Sequence, residues 1–326
     1  MKDITRRSVL VGTGSVAAAT LLVGPSRAQT FPSKPIEIVV GQPPGGGTDL
    51  YGRAIALAMA PFLNGQSAVV LNRPGGNAVL GMEVVMSSAP DGHTLSLTSA
   101  GTAVIKKIWD GNGPDLATDF RPVATIGRYS SCIVLPKDSP YTNGKEWMDA
   151  VKASSSPILW AHTGRGSIHH IAAQALLSKY ELPTRDVPYQ GSGEARTALL
   201  NGEVEFAVFG TQNLTGFEDQ LKTVGVIADE RDPMLPDGQT FAEQGIDTPL
   251  LFTPIMLHAP KDTDDATLAA VEEIVRQAAE TELYAETTKK AGLTVWYLSS
   301  ADTQAWTENA QKDWTPIIEE VKAASG

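Results

Sequence analysis

Short apolar, β-branched runs alternate with stretches of helical period along most of the chain. The runs 36–40, 68–71, 94–98, 131–135, 158–160, 204–209, 223–227, 254–258 and 294–298 have the length and composition of strands. Between them, apolar residues recur with the spacing of one helix face. Leu50, Ala54, Leu57 and Ala58 form one such set, and Leu268, Val271, Val275 and Ala278 another. Near the C-terminus, Trp306, Ala310, Trp314, Ile317, Ile318 and Val321 make a single stripe. Helix starts are expected at Asp49, Ser167, Ser192, Asp265 and Ser300. This alternation predicts an α/β protein with largely parallel sheets.

The chain has 326 residues, more than one hydrophobic core usually spans. Two strand-like segments, 126–135 and 250–258, look able to bridge two bodies. The simplest division is a discontinuous first domain, 29–128 plus 252–326, with a second domain, 129–251, inserted into it and a hinge where the chain crosses.

The first 28 residues read as a targeting segment. Arg6-Arg7 precede a weakly apolar stretch, and Ser26-Arg27-Ala28 forms a small-x-small cleavage site. The run Thr5-Arg6-Arg7-Ser8-Val9-Leu10 fits a twin-arginine export signal, so cleavage near Ala28 and a periplasmic location are expected. Lys2, Arg6, Arg7 and Arg27 against Asp3 give that segment +3, which leaves −14 for the remainder of a chain whose net charge is −11. Such a balance argues against nucleic acid and anionic membrane surfaces as partners. No later run is long and apolar enough to span a bilayer. The single cysteine, Cys132, lies in a strand-like run and reads as a buried thiol.

Candidate chemistry is concentrated in glycine-rich loops. Residues 43–49, PPGGGTD, follow the first strand and open a helix. Glycines let the backbone approach a ligand closely, and a helix start presents N–H groups at its positive end. Residues 163–169, TGRGSIH, and 189–194, YQGSGE, have the same design. An anion held between such loops needs several donors at once, because one helix end contributes only about 0.3–1 kcal/mol. Neither loop type is a nucleotide motif: Gly47 is followed by Thr48 rather than Lys, and the third glycine of the dinucleotide fingerprint is missing. No nucleophile elbow, HExxH pair or cysteine cluster is present, so no catalytic residue, metal or cofactor is expected. His169 and His170 are adjacent and point to different sides of a helix. Arg165 could add a guanidinium fork for a second carboxylate or simply meet solvent.

Taken together, FPSKPIEIVV (31–40), PPGGGTD (43–49), NRPGG (72–76), APDGHTLSL (89–97), DFRPVATIG (119–127), TGRGSIHHIA (163–172) and VPYQGSGEARTALLNGEVEFAVFG (187–210) make the chain resemble the Bug-type periplasmic solute-binding proteins of tripartite tricarboxylate transporters. The resemblance covers nearly all of the chain after the targeting segment. It implies a two-lobed type II periplasmic binding protein fold with the ligand cleft between the lobes. It also implies a small organic carboxylate as ligand, integral membrane transporter subunits as partners, and a monomer. Carried over by motif, the expected contacts are Pro44, Gly45, Gly46, Thr48 and Asp49, then Gly166, Ser167 and His169. Thr98, Ser99 and Ala100 match another cleft loop; Gly191, Ser192, Phe209, Gly210 and Thr211 match loops of the second lobe. Three positions depart from the pattern: Gln42 where an apolar residue is common, Arg165 where Asn is frequent, and His169 where a small polar residue is usual. They point to a more polar or multiply charged anion than a simple aromatic acid. A solute sensor with a signalling partner and a periplasmic hydrolase are the alternatives.

Overall fold

The computed structural model describes residues 31–76 and 78–324, so the expected export segment and its cleavage site lie outside the described residues. In chain order the strands are β1 (Ile36–Val40), β2 (Ala68–Asn72), β3 (Thr94–Ser99), β4 (Phe120–Tyr129), β5 (Ser131–Pro136), β6 (Ile158–His162), β7 (Thr184–Pro188), β8 (Phe206–Gly210), β9 (Leu221–Ile227), β10 (Thr253–Pro260) and β11 (Thr294–Leu298). The helices are α1 (Gly47–Met59), α2 (Val79–Met86), α3 (Ala100–Asp110), α4 (Gly144–Lys152), α5 (Ile168–Lys179), α6 (Ser192–Leu200), α7 (Asp265–Ala279), α8 (Glu282–Lys290) and α9 (Ser300–Ala324).

Two sheets result, with strand orders β11-β4-β10-β3-β1-β2 and β7-β6-β8-β5-β9. Within each, one set is parallel: β2, β1 and β3 in the first, β7, β6 and β8 in the second. The rest is antiparallel, which corrects the expectation of largely parallel sheets. The cause is the crossing. β4 leaves the first sheet and, after Ser130 alone, the chain enters the second as β5. The chain returns through β9 and β10, which pair antiparallel to β5 and β4.

All nine predicted strands are present, with ends shifted by up to two residues. The spacing did not pick out β7, a polar edge strand carrying Arg185, Asp186 and Pro188, and it registered only the end of β4. Four helices also went unread: α2, α3, α4 and α8. α2 opens from Ala78 in a left-handed conformation and has no capping residue, so it carries no start signal. α4 does carry one, since the Asn143 side chain accepts the Glu146 amide.

Two tyrosines tie helices to β4. The single Tyr51 hydroxyl proton of α1 is shared between the carbonyls of Arg128 (2.9 Å) and Thr294 (2.7 Å), and the Tyr284 hydroxyl in α8 donates to Ile126 (2.8 Å). The Tyr51 ring lies so close to the backbone that a Cβ on Gly127 would sit 2.1 Å from it. On the other side, the α9 stripe is buried as expected. Trp314, Ile318 and Val321 join one apolar cluster with Val104 and Phe120 from the first half and Ile133, Trp160 and Ile171 from the second. Trp306 packs against this cluster while remaining partly exposed.

Substituting Tyr51→Phe removes the one proton that two buried carbonyls share while keeping the ring. Urea unfolding should show a loss of about 1–3 kcal/mol, the usual cost of leaving buried acceptors unpaired; an unchanged midpoint would mean that water replaces the hydroxyl.

Candidate ligand-binding cleft

β1 ends beneath the loop 43–46, which is exposed, and the chain turns at Gly45 (φ +83°) into α1. Asp49 pins this loop from behind. Its carboxylate accepts from the Gly45 amide (2.8 Å), Arg53 (2.8 and 3.0 Å) and the Asn72 side chain (2.8 Å). Asn72 also donates to the Gln42 carbonyl at 3.1 Å. Burial alone would raise the Asp49 pKa, but the bonds from Arg53, Gly45 and Asn72 outweigh it and hold the carboxyl below its usual range. Asp49 is therefore a scaffold for the loop, since its acceptors are already taken. No side chain caps α1, because Gly46 occupies the cap position, so the opening amides of the helix remain available.

The loop faces the second sheet. A Cβ on Gly47 would lie 3.6 Å from the Gln212 amide nitrogen and 4.0 Å from the Tyr129 ring. Gln212 sits in the single-turn 3-10 helix that follows β8. Tyr129, the last residue of β4, donates its hydroxyl to Ser99 Oγ at 3.0 Å and also hydrogen-bonds Thr48. Ser99 stands at the start of α3, a second helix with no side-chain cap. Two residues along, Ser131 Oγ pairs with His169 Nδ1 at 2.8 Å, and the His169 ring centre lies 6.3 Å from that of Tyr129. α3 and α5 meet here too: a Cβ on Gly101 would be 3.4 Å from Ile168 and 2.7 Å from Thr253 Oγ1. Gln212 Oε1 and Thr253 Oγ1 are buried without a hydrogen-bond partner. The starts of α1, α3 and α5 thus converge around Tyr129, Ser131, Gln212 and Thr253.

The loop 163–167 differs from its expected role. The Gly164 amide donates to His162 Nδ1 (3.1 Å) and the Gly166 amide to His170 Nδ1 (3.3 Å), so both donors point inward. Ser167 caps α5 by accepting the His170 amide. The Arg165 guanidinium pairs with Asp186 at 3.1 Å. Trp109 of α3 lies across the loop, 3.5 Å from where a Gly166 Cβ would be. A depression of about 320 Å³ opens there, lined by Lys106, Trp109, Asp110 and 163–167.

Several expected contacts lie elsewhere or are already engaged. Phe209 and Ala100 are fully buried in apolar clusters, so only their backbones are candidates. Thr98 pairs its hydroxyl with Ser96 at 2.8 Å, and Thr211 gives its hydroxyl to Asp232 at 2.5 Å. Gly191 and Ser192 begin α6 in the loop next to Gly164, where a Cβ on Gly191 would meet nothing within 4 Å. Gly210 lies directly against Gln212, and Gln42 Oε1 is buried and unpaired beside the first loop. Sequence reasoning missed Tyr129, Ser131, Gln212 and Thr253. Only the crossing at 126–135 pointed toward the first two.

No histidine here carries charge at neutral pH. Burial pushes the His169 pKa down to about 3 and that of His170 to about 4. Burial also lowers His162, although Asp186 opposes the shift. The cleft therefore centres on neutral donors, and Lys106 and Arg165 line the depression beside it.

A fold of two α/β halves, joined by crossing strands and closing loops from both around one cleft, defines a two-lobed solute-binding protein. Residues 52–323 match the family described as the tripartite tricarboxylate transporter family receptor, and the chain belongs to it. It is 29% identical to a UPF0065 protein of Bordetella pertussis over 94% of this chain and 96% of that one. Its fold resembles a TctC solute-binding protein from Polaromonas, with TM-score 0.77 and 25% identity over 89% of this chain and all of the other. It also resembles MatC of Rhodopseudomonas palustris with bound malate, with TM-score 0.73 and 25% identity over 88% of this chain and all of the other.

The buried histidines predict an acid-sensitive fold. His169, His170 and His258, the last also held at about 4 by burial, take up protons more readily once unfolded, where the ordinary value is about 6.5. Stability should be full above that value and fall as pH drops from about 6.5 toward 4, with net proton uptake on unfolding in that window. Denaturation midpoints that stay flat from pH 7 to 4.5 would contradict the burial of these rings.

Proposed function

We propose that the chain is an exported receptor whose cleft closes on a small organic carboxylate and delivers it to integral membrane transporter subunits. The lobes would divide at 128/129 and 251/252, the signal peptide would be removed near Ala28, and the receptor would act as a monomer without catalysis. The observation that carries this reading is the meeting of two helix starts that lack side-chain caps, α1 and α3, with Tyr129, His169 and Gln212 across the junction of the two sheets. A micromolar ligand needs about 8 kcal/mol, and each helix end gives about 0.3–1, up to ~2 when partly buried. Only convergent donors from both lobes, with water excluded, supply that much. Because the ligand touches both lobes, it stabilises the closed arrangement over the open one.

Ligand contacts in this reading come from the backbone amides of Gly46 and Thr48, with Pro44 and Gly45 shaping the loop, and from Ser99, Ser167 and His169. Tyr129 and Gln212 join them. Malate bound to MatC supports a polar, multiply charged acid as the ligand class. Lys106 and Arg165, already paired with Asp110 and Asp186, would offer a second negative group hydrogen-bond donors rather than uncompensated charge.

Calorimetric titration against a panel of di- and tricarboxylates, malate included, beside benzoate-type acids tests the reading. Saturable binding of a di- or tricarboxylate without turnover is expected. Gln212→Ala should weaken it about tenfold or more, equivalent to ~1.4 kcal/mol. Preference for an uncharged or monocarboxylic aromatic ligand would remove the proposed ligand class, and hydrolysis of a bound ester or amide would remove the receptor.

A further inference from the structure

We infer that His162 and His170 are positioning residues for the ligand loop: each offers an unprotonated Nδ1 to a glycine amide of that loop and so sets its shape. The inference rests on the receptor reading given above. The two rings grip the loop from its two ends, His162 from the end of β6 and His170 from the first turn of α5. Their partners, Gly164 (φ +112°) and Gly166 (φ +73°), both hold conformations that favour glycine. An amide can donate to Nδ1 only if that nitrogen keeps its lone pair, so the proton of each neutral ring sits on Nε2. For His162 that proton goes to Asp186, 3.1 Å away, which also holds Arg165. For His170 the Nε2 atom is buried without an acceptor.

Packing fixes the rings. His170 stacks on Trp160 with ring centres 6.1 Å apart and planes 10° from parallel, and Trp109 meets it edge-on at 5.9 Å. The His162 and His170 ring centres are 4.5 Å apart. Trp109 comes from α3, so the same stack presses the loop against the opposite lobe.

By spacing alone, His162, His170 and Asp186 would suit a divalent cation, since one ligand atom from each lies within 4.8 Å of the others. The tautomers oppose this. The free lone pairs are at Nδ1 and engaged, protons occupy Nε2, and the Arg165 cation already neutralises Asp186. The arrangement is instead sensitive to acid, because a proton on Nδ1 would face the glycine amide donor to donor. Among the described residues, the charged and titratable groups around the pair are Asp186 on β7, Arg165 on the loop, and Lys106 and Asp110 on α3 across the depression. His169, next along α5, turns to Ser131.

Imidazole proton–nitrogen correlation spectra of the exported chain test the tautomers without any ligand. Both rings should appear as the Nε2–H form at pH 7; the Gly166 amide resonance should shift as pH falls toward about 4, the His170 value, and the Gly164 resonance as His162 takes up its proton below the usual imidazole range. Asn places an oxygen where histidine has Nδ1. His170→Asn should therefore keep the Gly166 amide shift, its exchange protection and malate affinity within about twofold. His170→Leu should lose the first two and weaken malate at least tenfold (~1.4 kcal/mol). An Nδ1–H tautomer, equal losses in both variants, or stoichiometric zinc binding by the wild type would overturn the inference. If no carboxylate binds the wild type, the receptor reading fails, while the spectra still decide the tautomers.

Discussion

A single residue, Ser130, separates the last residue of β4 from the first of β5, and the cleft depends on that brevity. Strand alternation sends residues two apart to the same side. Tyr129 therefore reaches Ser99 and Thr48 in the first half while Ser131 reaches His169 in the second. A longer connection would leave the ligand loops of the two lobes to find each other through flexible chain. Here the crossing strand itself carries a hydroxyl to each side, so the loops are registered by backbone geometry.

The glycine-rich loops show how such a site is divided between holding itself and holding a ligand. In the first loop, a buried carboxylate collects the Gly45 amide and leaves the α1 start open. In the second, two imidazoles collect the amides of Gly164 and Gly166, and Ser167 caps α5. The loops look alike in sequence because both need glycine backbone, yet they differ in which amides remain available. Composition cannot distinguish them. The difference lies in the partner, Asp49 four residues along from Gly45 in one loop and His170 four residues along from Gly166 in the other.

This sets how much could be read from the chain before its structure. Nine of the eleven strands among the described residues were legible because their apolar runs are continuous and bounded by glycine and proline, whereas the polar edge strand β7 and most of β4 were not. The positions of the glycine-rich loops at strand-to-helix junctions followed from the same punctuation. Side-chain direction did not. Phe209 and Ala100 sit beside the cleft in sequence but face the core, and Thr98 and Thr211 satisfy their hydroxyls within the protein. Gln212 and Thr253 carried no signal, since each acquires its role only when the second sheet is brought against the first. Helices with weak or uniform polarity, such as α2, were invisible to spacing for the same reason: packing rather than pattern decides them.

An acidic chain can still take the anion proposed for its cleft, because the central donors are neutral dipoles acting at short range, while salt screens the global field beyond about 8 Å. The same logic explains the contacts around the crossing. Arg128, buried beneath Phe252 and Trp296, reaches Asp229 and Glu230, so its charge is balanced where it cannot be hydrated. Asp232 accepts the hydroxyls of Thr211 and Thr294 at 2.5 Å, joining the turn that carries Gln212 to an edge strand of the first sheet. These bonds lie next to Ser130. They cross-link the two sheets beside the crossing. In the proposed reading, a ligand that bridges α1 and Gln212 would touch both halves and so favour their closed arrangement.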